Sequence, residues 1–287
     1  MSFEYHEPDS LAEVTALLVE HGDDVMPLGG GTTFTVLLKM GLLAQGHVVG
    51  LRRVPDLVGI RTESEGLWIG ASSRHSEVEH SAVVREDHAT LADTYRAVAT
   101  VRIRNQATVG GGVAFGDPAQ DPPVTLMALD AAVVTAGPNG SRQIAMDDFF
   151  VDYFTTALEP GEVIVGVSVP PSAGMRSTFK KYLPRSVDDY ATVAVAAAAR
   201  LDAAGCIADL RVALGGVGPT PIRARAVEDA LRGTTPDPTR LGEAAALVGD
   251  EIRPMDDVRG SAEYKREMSR VFVRRALATV TLDGSVL

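Results

Sequence analysis

Pro27-Leu28-Gly29-Gly30-Gly31-Thr32-Thr33-Phe34 is the stretch that decides the fold. It closes a short apolar run, 25–28, and opens a mostly apolar segment that reaches Met40. A second run, Thr108-Val109-Gly110-Gly111-Gly112, stands about 80 residues further on, again between a strand-like segment and an apolar one. Glycine accepts positive φ and lets the backbone come close to a ligand. Successive free N–H groups can then wrap an anion. One such turn can be a tight turn with nothing bound, whereas two can hold a diphosphate between them. Neither is a dinucleotide fingerprint, because Phe34 and Phe115 stand where the third glycine of G-x-G-x-x-G belongs. Neither carries the Gly-Lys-Ser/Thr of a P-loop. The pattern argues against a standard nicotinamide-dinucleotide site and against an ATPase.

Outward from the first turn, Ser10 and Glu13 form a capping box for a helix carrying Leu11, Val14, Leu17 and Leu18, which Gly22 ends. Residues 48–51 read as a strand, and 57–60 with 67–69 as a hairpin around polar residues 62–66. Residues 90–99 read as a helix. Asp117-Pro118-Ala119-Gln120-Asp121-Pro122-Pro123 is a turn that launches a helix over 124–129. Strands follow at 131–135 and 162–169, the second stopped by Pro170-Pro171, and 170–174 is the best domain boundary. Beyond it, 178–182, 192–201 and 206–214 suggest three antiparallel strands, then helices over 222–231, 241–248 and 262–280. The run 191–199, almost all alanine and valine, reads as a buried strand or a short helix. No repeat or low-complexity tract is present.

Composition removes whole classes. The 287 residues carry 27 Lys+Arg against 38 Asp+Glu, a net charge of −11, which does not suit nucleic acid or an anionic membrane. A hydrophobic content of 45% argues against disorder. The single cysteine, Cys206, cannot close an intrachain disulfide, complete a zinc ribbon or hold an iron–sulfur cluster, and it fits a reducing cytoplasm. The N-terminus lacks the positive start and apolar core of a signal peptide, and no apolar run reaches the ~20 residues of a spanning helix.

The residues carry a resemblance. Pro27 to Thr33 followed by Leu37-Leu38-Lys39-Met40, then Ala107-Thr108-Val109-Gly110-Gly111-Gly112-Val113-Ala114 with Gly116-Asp117-Pro118-Ala119-Gln120-Asp121, resemble the two flavin-binding segments of the FAD-binding (medium) subunits of molybdenum hydroxylases. Thr155-Thr156-Ala157-Leu158-Glu159-Pro160-Gly161-Glu162-Val163-Ile164 is similar to a third, and Gly215-Gly216-Val217-Gly218-Pro219-Thr220-Pro221 extends the likeness into the C-terminal part. This is the family of aerobic carbon monoxide dehydrogenase and xanthine dehydrogenase.

The resemblance implies an α+β chain with a two-subdomain FAD-binding fold of the vanillyl-alcohol-oxidase (PCMH) type. Its subdomains would span 1–55 and 56–173, and a domain of a three-stranded antiparallel sheet plus helices would span 174–287. Pro27 to Phe34 and Thr108 to Gly112 would cradle the FAD diphosphate with main-chain N–H groups, and Asp117 would belong to the same site. Asp121 would fix the adenosine-side ribose, Leu158 would lie near the flavin, Lys180 close to its ring system, and Tyr190 over the isoalloxazine. Many relatives carry Gly-Gly-His-Ser where this chain has Gly30-Gly31-Thr32-Thr33, so no histidine of this turn attaches flavin and FAD would be non-covalent. The implied function is electron transfer: from two [2Fe–2S] clusters of a small subunit, fed by a large molybdenum–pterin subunit, through FAD to an external acceptor. The assembly implied is a dimer of heterotrimers, and no catalytic acid–base pair is expected on this chain.

The residues alone leave plainer alternatives. Asp117 and Asp121 can simply cap the next helix, Lys180-Lys181 can be a solvated face, and Tyr190 can be core. Arg102 and Arg104 read as a salt-bridged surface, and Trp68 and Cys206 as strand residues facing a core. The six histidines show no ligand spacing and read as surface or capping residues. A self-contained flavin oxidoreductase of the same fold, or a flavin-free assembly subunit, are the competing functions.

Overall fold

A computed structural model describes residues 3–184, 186 and 188–282. The chain begins β1 (Glu4–His6), α1 (Leu11–His21), β2 (Val25–Leu28), α2 (Thr32–Lys39) and β3 (His47–Gly50). The three strands form a parallel sheet in the order β1-β3-β2. Ser10 caps α1 by accepting from Glu13 N–H, while the Glu13 carboxylate accepts from Asp9 N–H at 2.9 Å. Gly22 closes the helix at φ +53°. Val14 and Leu18 on one face of α1 share a core with Val49 of β3.

The second region runs β4 (Ile60–Glu63), β5 (Gly66–Gly70), α3 (His75–His80), α4 (Ala82–Arg96), α5 (Val101–Arg104), α6 (Val109–Phe115) and α7 (Asp121–Ala128). It continues β6 (Ala132–Gly137), β7 (Gly140–Ala145), α8 (Met146–Phe149), β8 (Phe150–Asp152), β9 (Thr155–Thr156) and β10 (Val163–Val169). Five strands build an antiparallel sheet in the order β4-β5-β10-β6-β7. Its core shares residues with the first region, from Val14 through Leu57, Ile69, Tyr95 and Phe149 to Val169. Two expectations are corrected here. Leu57 lies in a 3₁₀ turn rather than a strand, so the hairpin starts at Ile60. The second glycine run is no turn after a strand: it follows the short helix α5 and forms the first turn of α6.

The third region holds β11 (Arg176–Tyr182), β12 (Val193–Leu201), β13 (Ile207–Gly215), β14 (Ile222–Arg223), α9 (Arg225–Leu231), α10 (Pro238–Glu251) and α11 (Ala262–Thr281). Its sheet has four strands, β11-β12-β13-β14, not three. The fourth is a two-residue pairing of Ile222 and Arg223 with Leu214 and Ala213, too short to show an alternation, and the expected helix from 222 starts only at Arg225. The alanine-rich run is a strand buried on both faces, as near-continuous apolar strands are. Val193, Val195, Ala197 and Ala199 face the core built with α9, α10 and α11, while Ala194 and Ala196 join the core of the first two regions. Cys206 is half-buried just before β13 and contacts Thr235, so it is not a core residue.

Candidate functional site

The first glycine run joins β2 to α2. Gly31 caps the helix at φ +71°, a left-handed conformation that only glycine adopts at little cost. The first helical bond of α2 runs from Thr35 N–H to Gly31 O at 3.0 Å, so the N–H groups of Thr32, Thr33 and Phe34 open outward at the positive end of the helix. Gly30 has a different reason to be glycine. A Cβ there would lie 2.0 Å from Gln106 O and 2.8 Å from Ala107 Cα, both main chain. The two glycine segments are therefore in direct backbone contact.

Thr108 ties them. Its Oγ1 accepts from Gly30 N–H and from Gly111 N–H, each at 3.3 Å. The other amides of the second run are used inside the protein: Val109 N–H bonds Ser73 O at 2.9 Å, Gly110 N–H bonds Ala71 O at 2.8 Å and Gly112 N–H bonds Thr108 O at 3.0 Å. The expected cradle from both runs is thus redistributed. The open donors belong to α2, while Val109, Gly110 and Gly112 direct their amides inward and Gly111 makes only the long contact to Thr108 Oγ1.

Asp121 opens α7, buried, with one carboxylate oxygen 2.7 Å from Lys181 Nζ and the other without a partner among the described residues. Burial raises its pKa to about 6 against the opposing pull of Lys181. Lys181 Nζ also donates to Ala97 O at 2.9 Å. The neighbouring Lys180, the residue expected near the ring system, alternates to the other face of β11. That face pairs with Val195 and carries Tyr182, which packs at a tilt against Phe272 of α11. The lysine that meets Asp121 is therefore Lys181, which two adjacent lysines do not reveal without the register of the sheet.

Asp117 does what a turn residue does, accepting from Ala119 N–H at 2.9 Å, and it also takes the hydroxyl of Tyr190. Burial, then the Asp117 charge and hydrogen bond, push the Tyr190 phenol up to about 12. Tyr190 is half-exposed, not core, with Arg259 over its ring at 5.4 Å and Arg259 paired to Asp189 at 2.8 Å. Arg185, ahead of this tyrosine, lies outside the described residues. Leu158 is half-buried in the loop after β9, packed against the core. Phe34 packs edge-on to Phe3 at 5.8 Å, and Pro27 is exposed.

Three buried polar groups stand in the helices α3, α4 and α5. Arg104 is not a surface residue: it donates to Glu79 at 2.8 Å and to Val98 O and Ala99 O. His75 is buried edge-on to Tyr95 at 4.9 Å, and burial lowers its pKa to about 4. His88 is buried too, so the surface reading of the histidines fails for both. Trp68 is only half-buried, with Arg61 over its ring at 5.3 Å.

This architecture, an anion-ready helix start buttressed by a second glycine segment and followed by a sheet-and-helix domain, defines a flavoprotein of the molybdopterin dehydrogenases. Residues 1–172 match the FAD binding domain in molybdopterin dehydrogenase, and residues 178–280 match the CO dehydrogenase flavoprotein C-terminal domain. The chain belongs to this family and is a medium, FAD-binding subunit of a multi-subunit molybdenum hydroxylase. Among its relatives is the carbon monoxide dehydrogenase medium chain of Afipia carboxidovorans, 36% identical over 96% of each chain. Another is the glyceraldehyde dehydrogenase medium chain of Sulfolobus acidocaldarius, 32% identical over 97% of this chain and 98% of that one. Carbon monoxide dehydrogenase from Hydrogenophaga pseudoflava superposes with a TM-score of 0.94 at 36% identity, covering 98% of this chain and 97% of that one. No helix among the described residues is long and apolar enough to cross a membrane.

Proposed function

We propose that this chain binds FAD non-covalently and relays electrons from the [2Fe–2S] clusters of a small partner subunit to an external acceptor. A large partner would carry the molybdenum–pterin centre, in a cytoplasmic dimer of heterotrimers. The observation that carries the reading is the open amide end of α2 held against the Thr108 segment, a fit for a diphosphate. Thr32, Thr33 and Phe34 would offer N–H donors, Asp121 an acceptor for a ribose diol, and Tyr190 and Leu158 flanking surface for a ring. The unpartnered Asp121 oxygen supports that assignment. Bound FAD supplies the one- and two-electron chemistry, and the protein positions it and controls access. The turn residues Thr32-Thr33 support non-covalent attachment. The separate sheets support a PCMH-type division into 1–55, 56–173 and 174–287.

The test is a titration of the flavin-stripped full chain with FAD, followed by flavin absorbance and fluorescence. One FAD per chain is expected, released on denaturation. Gly30→Ala forces two backbone segments apart at a cost of about 1–3 kcal/mol, so FAD affinity should fall about tenfold or more. A folded chain that takes up no FAD overturns the reading.

A further inference from the structure

We propose that His6, His21 and His47 form a site for one divalent transition-metal ion of the zinc class. They are 15 and 26 residues apart in sequence, which is why no ligand spacing is visible there. The fold gathers them. His6 ends β1, His21 ends α1 and His47 starts β3. In the parallel register Glu4 pairs with His47 and His6 with Val49, so His6 and His47 are diagonal neighbours on one face. That face is the one bearing Val49, against which α1 packs, and the last turn of α1 delivers His21 to the same place.

His6 Nε2 lies 3.0 Å from His47 Nδ1, and one ring nitrogen from each of the three histidines falls within 4.8 Å of the others. Zinc–nitrogen bonds of about 2.0–2.1 Å at tetrahedral angles put ligand nitrogens about 3.4 Å apart. The first pair is already close to that spacing. The third requires one ring to move. His21 lies over His47 with centroids 3.7 Å apart and planes 14° from parallel, and an ion lies in the plane of each ring that binds it. Coordination therefore turns His21 out of the stack, a motion open to a half-buried side chain at a helix end. Glu4 Oε2, exposed and 3.8 Å from His47 Nδ1, can fill the fourth position.

Three imidazoles with one carboxylate suit zinc, cobalt, nickel or copper rather than magnesium or calcium, which prefer all-oxygen sites. A bound ion would clasp β1, α1 and β3 to one another. It would do so at the end of β3 where His47 pairs with Val25, away from the glycine turn beyond Leu28. Such an ion stabilises the folded chain by binding it and not the unfolded one.

The experiment uses the full chain stripped of metal, with Zn²⁺ measured against a fluorescent chelator and Co²⁺ followed by its visible spectrum. One Zn²⁺ per chain with micromolar affinity, intense four-coordinate Co²⁺ bands and a higher melting temperature with Zn²⁺ are expected. His47→Ala and His21→Gln should each lose about tenfold or more in Zn²⁺ affinity while still taking up FAD, the control for folding. His80→Gln, on a separate exposed residue, should leave Zn²⁺ binding unchanged. Binding weaker than about 0.1 mM, or binding that His47→Ala and His21→Gln leave intact, overturns the proposal.

Discussion

Burial acts on Asp121 and His75 with opposite sign. The folded Asp121 carboxyl keeps its proton to about pH 6, whereas the ordinary value is 3.8, so stability falls as pH climbs through that window. The folded His75 imidazole stays neutral down to about pH 4, whereas the ordinary value is 6.5, so stability falls as pH drops through that window. Each is worth about 3 kcal/mol across its window, and in the parent chain the two slopes largely cancel between them. Asp121→Asn should remove one slope and His75→Gln the other. Relative to the parent, Asp121→Asn should gain stability from about pH 4 to 6.5 and His75→Gln should lose it over the same span. Urea unfolding of the flavin-free chain at the two pH limits reads both, and slopes of the same sign would contradict the account.

The α6 segment works as a support because one hydroxyl serves both glycine runs. Thr108 Oγ1 caps α6 through Gly111 N–H and reaches across to Gly30 N–H. Thr108→Val removes both bonds while keeping the shape, at a cost of about 1–2 kcal/mol. Thr108→Ser should restore most of it. A chemical melt measures the loss, and FAD titration should show weaker binding in the valine variant. Much at this scale could be read from residue order. The Ser10 cap, the strand–glycine–helix passage at Leu28 to Thr32 and the stop at Pro170 are local signals that the structure keeps, although Glu13 returns its bond to Asp9 N–H and not to the Ser10 N–H of a true capping box. What escaped reading depends on pairing across distance. The helical state of Gly110 to Gly112 is imposed by bonds to Ala71 and Ser73, and glycines by themselves argue against a helix. Lys181 is distinguished from Lys180 only by the register of β11 on β12. The fourth strand, of two residues, exists because β13 offers it an edge.

At the scale of the molecule, an ionic seam joins the C-terminal sheet to the region before it. Arg223 holds fully buried Glu228 with two bonds, of 2.7 and 2.9 Å, and reaches Asp130 at 2.8 Å. Arg211 meets the other oxygen of Asp130 at 2.9 Å, and Arg225 meets Asp147. Glu228 also accepts from Val212 N–H, and if Arg223 is lost the cation left to it is the half-exposed Arg225, at 3.5 Å. Arg223→Met should cost about 3 kcal/mol, because the buried charge loses its two short bonds and keeps only the longer Arg225 contact. Adding Glu228→Gln should return part of it, since a neutral amide oxygen can still accept from Val212. Urea midpoints of the single and double variants decide this, and a single variant within about 1 kcal/mol of the parent would refute it.

The position of β10 also bears on how the chain is made. It lies in the middle of the five-stranded sheet, between β5 and β6, although it is the last of the five to be synthesised. A nascent chain that has not yet passed residue 163 therefore carries two separate hairpins, each with an open edge where β10 belongs. Lys181 and Tyr190 emerge from the ribosome later still. The order of translation thus leaves the central sheet with two open edges until residues 163–169 are made, and Lys181, the ion-pair partner of Asp121, follows only after β10 can close it.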